Sequence, residues 1–422
     1  MKRFAHSRYV TILDQIVSSL SNFALVALVA GVATTAEFGL FSLGYVLLLF
    51  FLGFQRALVG EVLLVRFSKA GERPAGVDDA AAGVSVAVGV VSAVALAVCG
   101  LLAGGDPLMW TVLAVAGPLV FVQDIVRYIL IARARSGHAL VSDAVWAVVA
   151  LPVMVWLVAV SAPAWTVAAA WTGGGVVGMI VAIAYARVLP RPIAGARWIV
   201  ANRDIAVRFS GEYASLNLSN TVVWFLLAGP LGVAGVAALR GASLLFSPLN
   251  TAFNAVRIAV VPDLVRSRGS RRYRARLRET ALILTGICVV WSGIVLLVPD
   301  EIGRLVLGAT WDVAADLRWP YAVQGLAMVA YTALLAHFRA AARHTSSTAM
   351  RGFLAGATLV LPMALAFAMA AAGAAWGFAA AVALSVVVGL VWETRARRRD
   401  RRRGTGADDA PGPDDTPHTD HG

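Results

Sequence analysis

Charged and amide side chains recur inside stretches that are otherwise apolar, and their spacing is the first sign of chemistry. Between residues 10 and 32 stand Asp14, Gln15, Ser18, Ser19, Ser21 and Asn22. Asp14, Ser18 and the Ser21/Asn22 pair fall three to four residues apart, on one face of a helix. The pattern returns with Glu212, Ser215 and Ser219, joined by Asn217 and Asn220. A charged group at mid-membrane costs about 2.5–3.5 kcal/mol on insertion scales, so it turns toward a protein interior or a wet cavity. For the Ser and Asn residues two readings stand side by side: a hydrated lumen, or interhelical hydrogen bonds worth about 0.6 kcal/mol each. For Asp14 and Glu212 the lumen is the expectation, tempered by their nearness to helix ends.

Four arginines also interrupt apolar stretches: Arg56, Arg127, Arg240 and Arg257. Arg127 is one turn from Asp124, which predicts an ion pair within one helix. Arg56 has Glu61 nearby, and either snorkels or faces a lumen; Arg257 can snorkel too. Arg240 lies in AALRGASLLFSP with no acid close in sequence. It either faces a lumen as a free cation or pairs with Asp14, Asp124 or Asp143. A guanidinium offers phosphate a planar fork of donors, so an unpaired lumenal Arg suits an anionic, phosphate-bearing substrate.

The elements that position these groups are membrane helices. The chain is 59% hydrophobic and 14% charged, with mean hydropathy +0.77. About 20 apolar residues cross a bilayer core of about 30 Å. Twelve such stretches are expected near 10–32, 38–60, 80–103, 109–132, 141–160, 165–186, 209–229, 233–261, 281–299, 319–338, 350–371 and 374–393. The eighth is long and predicts an interfacial turn around Pro248; the last two are separated only by a small Ala/Gly hinge. Loops on one side carry 30 of the 36 Lys and Arg residues, against only Arg304 and Arg318 on the other. Positive loops stay cytoplasmic, so both termini are expected inside a bacterial cytoplasmic membrane, and an even number of spans is required. The net charge of +12 then reflects contact with anionic lipid headgroups and not with nucleic acid. The first apolar stretch is long, carries Asp14 and lacks a small-residue cleavage site, so no cleavable signal peptide is expected.

The chain lacks the usual marks of an enzyme. It has no GxxxxGK[ST] loop for nucleotide. Cys99 and Cys288 lie inside spans without CxxC or Cys/His spacing, and the six His residues do not gather in the membrane, so neither metal nor cofactor is expected. Asp300, Glu301, Asp312 and Asp316 occupy one outer connector, which predicts a short amphipathic re-entrant or interfacial piece. As acid/base candidates they are outweighed by the reading of solvated helix-end charges.

The inside loop 187–208 divides the chain into six spans plus six: residues 1–190 and 191–393. A shift of 198 residues lays span 1 on span 7 without a gap, matching Asp14 with Glu212, Leu20 with Leu218, Ser21 with Ser219, Asn22 with Asn220 and Gly31 with Gly229. Such a parallel repeat predicts two six-helix bundles related by an axis along the membrane normal, with a path between them. Residues 394–422, a basic cluster followed by Asp, Pro, Gly, Thr and His, are expected to be disordered and without a catalytic role.

The segment LDQIVSSLSNFALVALVAGVATTAEFGLFSLGY, followed by FQRALVGEVLLVR, resembles the polysaccharide-export branch of the multidrug/oligosaccharidyl-lipid/polysaccharide (MOP) exporter superfamily, the Wzx-type flippases. The shared marks are a polar first helix, the turn Glu37-Phe38-Gly39 and a basic cytoplasmic end to span 2. ALRGASLLFSPLNTAF and LGATWDVAADLRWPYAVQG resemble the matching regions of the second half. The resemblance implies an all-α, polytopic protein of about twelve helices, in two bundles around a central cavity. It implies transfer of a polyprenyl-diphosphate-linked oligosaccharide from the inner to the outer leaflet by alternating access, alongside a polysaccharide polymerase or glycosyltransferases. It makes Arg56, Arg240 and Arg257, with Asn22, Asn217 and Asn220, the cavity residues, and Asp14, Asp124 and Glu212 the counter-charges or ion-coupling groups. The interior acids nearly balance the interior arginines, which departs from a strongly cationic cavity. A cation-coupled multidrug exporter of the same superfamily, a membrane glycosyltransferase or ligase, and a scaffold that has lost transport are the alternatives.

Overall fold

The computed structural model describes residues 19–67, 74–253, 271–341 and 343–405, and all regular structure among them is helical. The first half comprises α1 (Ser19–Val32), α2 (Thr35–Arg66), α3 (Val77–Ala103), α4 (Pro107–Ala132), α5 (Ser136–Ala159) and α6 (Ala164–Ala186). A short helix, Pro192–Ala201, leads to a helix over Arg203–Leu245 that is broken at Gly232, where φ is 66°. The break, two residues after Pro230, gives α7 (203–231) and α8 (233–245). A turn at Phe246 precedes more helix over 247–253, near the interruption expected at Pro248. Then come α9 (Arg271–Leu296), α10 (Arg318–Ala340) and a helix over His344–Thr405 broken at Met369 and Ala370, which gives α11 (344–368) and α12 (371–405). Each of the twelve expected spans thus contains a helix. Nine continuous helices among the described residues are long and apolar enough to cross a bilayer; two of these hold a pair of spans, and α1 completes the set.

Local chemistry fixes the ends. Thr34 and Glu37 form a reciprocal capping box at the start of α2. Asp106 caps α4, with Pro107 in the first helical position. The C-terminal tail departs from expectation. Helix α12 runs on to Thr405, because arginine is a good helix former and continues a helix already nucleated. Residues 406–422 lie outside the described residues.

In the first half α3 packs on α4, α4 on α6 and α5 on α6; in the second, α9 packs on α10, and α10 and the α7–α8 pair pack on α11–α12. Helix α2 runs along α7–α8 and joins the halves. The short helix Pro192–Ala201 lies on α3, where Gly83 and Gly195 bring the backbones together: a Cβ on Gly195 would stand 2.8 Å from the Val84 nitrogen and 3.0 Å from the Ala80 carbonyl. This helix therefore packs on a helix of the first half of the chain.

Arg66 at the end of α2 meets Asp204, Arg133 after α4 meets Asp78 and Arg191 after α6 meets Asp79, so these helix ends lie together at one end, the basic end. The far end is closed. Gly39 of α2 abuts the Val233 carbonyl at the start of α8, and Gly308 (φ 53°) sits on the carbonyls of Ala30 and Gly31. The hydroxyl of Thr35 donates to the Ala309 carbonyl at 3.4 Å. The expected interfacial piece is the segment 300–317, an amphipathic helix (Asp300–Leu307) followed by short turns. Trp311 anchors it: the ring is buried against Gly303, donates to Asp300 at 2.9 Å and lies 4.8 Å below the Arg318 guanidinium. Asp312 pairs with Arg304 at 3.0 Å.

Candidate functional site

A cavity of about 900 Å³ opens among α1, α2, α7, α8, α9, α10 and α12. Its lining residues on α1 stop at Val26, those on α2 begin at Tyr45, and those on α8 run from Arg240 on to Phe253. Residues nearer the far end take no part, so the cavity is blind there and extends toward the basic end.

Arg240 stands at the blind end. Its Nε is buried without a hydrogen-bond partner, and no carboxylate among the described residues pairs with it. Its guanidinium lies 5.2 Å from the centre of the Trp224 ring, where the π-face offsets part of the lost hydration. Tyr45 and Tyr321 lie within its electrostatic reach. The Tyr321 hydroxyl donates to the Leu239 carbonyl at 2.9 Å. The Tyr45 hydroxyl, on a residue only 2% exposed, has no partner. A buried polar group without a partner is costly, and here two donors are left so on one wall. Around them are aromatic faces (Trp291, Phe378) and neutral hydrogen-bonding groups (Asn22, Asn220, Asn250, Gln324). Among the described residues no Asp or Glu lines the cavity.

The internal repeat reappears in this wall. The 198-residue shift that aligns α1 with α7 carries Asn22 onto Asn220 and Val26 onto Trp224. Extended to α2 and α8, it carries Tyr45 onto Ser243 and Leu49 onto Ser247. All eight positions line the cavity. Arg240 falls on Ser42, so the cation breaks the pseudo-symmetry and belongs to the second half alone.

The remaining candidates go elsewhere. Arg56 is not on the cavity wall. It opens a π-helical turn, Arg56–Gly60, and donates to both oxygens of Asp124, from Nε at 2.8 Å and Nη2 at 2.8 Å. Its partner is therefore Asp124, and not the sequence neighbour Glu61. Arg127 donates to Asp124 at 2.9 Å, as its spacing predicted, and to Asp143 at 3.0 Å. Gln123 donates to Asp143 and to the Ser142 hydroxyl, which itself donates to the Gly178 carbonyl. This buried network ties α2, α4, α5 and α6 together and consumes the two acids that Arg240 was offered. Asn217 donates back to the Tyr213 carbonyl at 2.8 Å, inside its own helix. Glu212 is an exposed group 3.5 Å from Arg351, off the cavity wall. Asp14 and Arg257 lie outside the described residues.

Sequence reasoning passed over Tyr45, Trp224, Trp291 and Tyr321, because an aromatic in an apolar helix gives no contrast of polarity. Gln324 and Asn250 did carry a signal, an amide within or beside a span. A second cluster sits at the basic end of the second half. His337 meets the Tyr273 hydroxyl at 2.8 Å and Glu393 at 3.1 Å, and Arg343 donates to Glu393 at 2.7 Å. It fastens α9, α10 and α12 together.

No protein-family model and no curated protein matches the sequence. Solved structures do. A multidrug resistance MATE family transporter of the MOP superfamily in its inward-facing conformation matches with TM-score 0.68 and 14% identity, over 91% of this chain and 95% of that one. The lipid II flippase MurJ, in an inward closed conformation, matches with TM-score 0.67 and 12% identity, over 91% and 87%. A MOP superfamily transporter from Pyrococcus furiosus, described as having a binding pocket of reverse polarity, matches with TM-score 0.60 and 12% identity, over 94% and 95%. The chain has the fold of the MOP superfamily along nearly its whole length. At such low identity the likeness is one of fold.

Proposed function

We propose that this chain is a membrane transporter that moves an anionic, lipid-linked oligosaccharide from the inner to the outer leaflet by alternating access, for cell-surface polysaccharide synthesis. The observation that carries this reading is Arg240, a half-buried cation whose Nε is fully buried, without a carboxylate partner and in a wall that holds no acid among the described residues. A guanidinium in that setting favours an anionic guest, and the like charge disfavours a cationic one. The rest of the wall suits sugar: aromatic faces against which rings stack, and amides that exchange hydrogen bonds with hydroxyls. The volume is in the upper range of pockets that enclose small molecules, enough for a headgroup of a few sugar units while the lipid tail stays in the bilayer. The closed far end and the blind cavity are one of the two states that alternating access requires. The asymmetry of basic loops supports termini on the cytoplasmic face of a bacterial cell membrane. Glycosyltransferases and a polysaccharide polymerase are the partners this role needs.

The aromatic lining also fits flat, apolar drugs, and this favours the multidrug reading as the second choice. A proteoliposome assay separates the two. Purified protein is expected to expose a fluorescent polyprenyl-diphosphate-linked glycan to a membrane-impermeant quencher, to lose at least tenfold in rate with Arg240→Gln, and to leave ethidium untransported. Ethidium movement without glycolipid movement overturns the proposal.

A further inference from the structure

The depth of Arg240 bears on which anion it meets, and the inference that follows rests on the reading just given. At about 1.5 Å of rise per residue, Arg240 lies about 10 Å below Val233, where α8 begins at the far end. Three other helices agree: Tyr45 is about 15 Å from Thr35, Val26 about 9 Å from Val32, and Tyr321 about 5 Å from Arg318. A hydrocarbon core of about 30 Å then leaves these groups some 15–25 Å from the basic face, toward which the cavity extends. A lipid-linked glycan that enters from that face keeps its diphosphate at the level of the lipid headgroups. Its sugars are the part that extends inward to the blind end.

We infer that the transported saccharide itself carries a carboxylate, as a uronic acid does, and that Arg240 and Tyr45 bind this group and not the phosphate that joins sugar to lipid. The donor set fits. Arg240 lines the cavity, and a guanidinium can meet the two oxygens of a carboxylate with two parallel N–H groups; the Tyr45 hydroxyl, buried without a partner in the same wall, is a third donor from α2. One cation matches the single charge of a carboxylate, whereas the diphosphate that joins sugar to lipid spreads its charge over two phosphates. Tyr45 and Arg240 come from different halves of the chain, so the carboxylate bridges the halves, and its arrival is sensed by both.

Dissociation constants measured by titration calorimetry on the full chain in lipid nanodiscs test this with three probes: cellobiouronic acid, neutral cellobiose and farnesyl diphosphate. The acidic disaccharide is expected to bind at least tenfold more tightly than cellobiose, the factor expected for a charge-assisted hydrogen bond. Arg240→Gln should erase that preference, and the conservative Tyr45→Phe should reduce it several-fold. Neither variant should alter the affinity for farnesyl diphosphate. Equal binding of the two disaccharides overturns the inference. So does a loss of farnesyl diphosphate affinity in Arg240→Gln; that result makes Arg240 a contact for the lipid phosphate and leaves the flippase reading standing. Failure to bind any of the probes, together with no glycolipid movement in proteoliposomes, removes both.

Discussion

Asp124 separates a structural role from a coupling role, and its replacement by Asn is the sharpest single perturbation available. Its side chain is 4% exposed and accepts two hydrogen bonds from Arg56 and one from Arg127, all at 2.8–2.9 Å. Loss of the charge leaves two guanidiniums facing a neutral amide, with Asp143 still serving Arg127. Removing one partner of a buried pair costs about 3–5 kcal/mol. Arg56→Gln should cost less, about 1–2 kcal/mol, because Asp124 keeps Arg127 and the Arg56 side chain is a third exposed. The double variant Arg56→Gln/Asp124→Asn should therefore fall short of the sum by about 2 kcal/mol, the coupling of the pair. Unfolding in mixed micelles with increasing SDS, followed by tryptophan fluorescence, measures all four corners of the cycle. Glycolipid movement is measured on the same preparations. Additive single effects, with coupling below about 0.5 kcal/mol, refute the structural assignment. An Asp124→Asn protein that keeps its stability and stops transporting shows instead that Asp124 couples an ion.

Three further outcomes follow from the packing. Gly39→Leu drives a side chain into the Val233 carbonyl and should part α2 from α8. In a protein whose Cys99 and Cys288 are replaced by Ala, an introduced Asn220→Cys should then react from the far end with an impermeant maleimide, and unchanged protection counts against the closed far end. Trp311→Ala removes the largest fully buried side chain among the described residues and should cost about 3–5 kcal/mol in SDS unfolding; a loss below about 1 kcal/mol means that the 300–317 segment is not anchored by this ring. Glu393→Gln strips charge from the contacts to Arg343 and His337 and should cost about 3 kcal/mol, with faster tryptic cleavage near Arg343; an unchanged cleavage rate contradicts the fastening role.

The architecture was legible in the sequence because the bilayer imposes it. Apolar length gave the spans, and Asn22 and Asn220, paired by the repeat, both line the cavity. Arg240 stood out because the sequence around it offers no acid. What the sequence hid was the pairing of groups far apart in the chain. Arg56 has Glu61 within two turns, yet it bonds Asp124, 68 residues on, because the π-helical turn and the packing of α2 on α4 decide the geometry. Gly39, Gly83, Gly195 and Gly308 mark where backbones meet, and a glycine in a membrane helix carries no sign of which neighbour it admits. Composition alone does not show the helical continuation to Thr405, because that continuation comes from the helix that feeds it.

The crossing of Gly83 with Gly195 has a mechanical meaning. A chain that joins two rocking bodies would ordinarily give slack to both. Here the joining helix is laid against α3, and Asn202 follows at once, its side chain donating to the Trp198 carbonyl and accepting from Arg66. The connection is a short arm that ends at Asn202. In the alternating access proposed above, a swing of α7–α12 about Asn202 would displace nearby atoms little and remote ones most, so the largest excursion would fall at the end where Gly308 rests on α1.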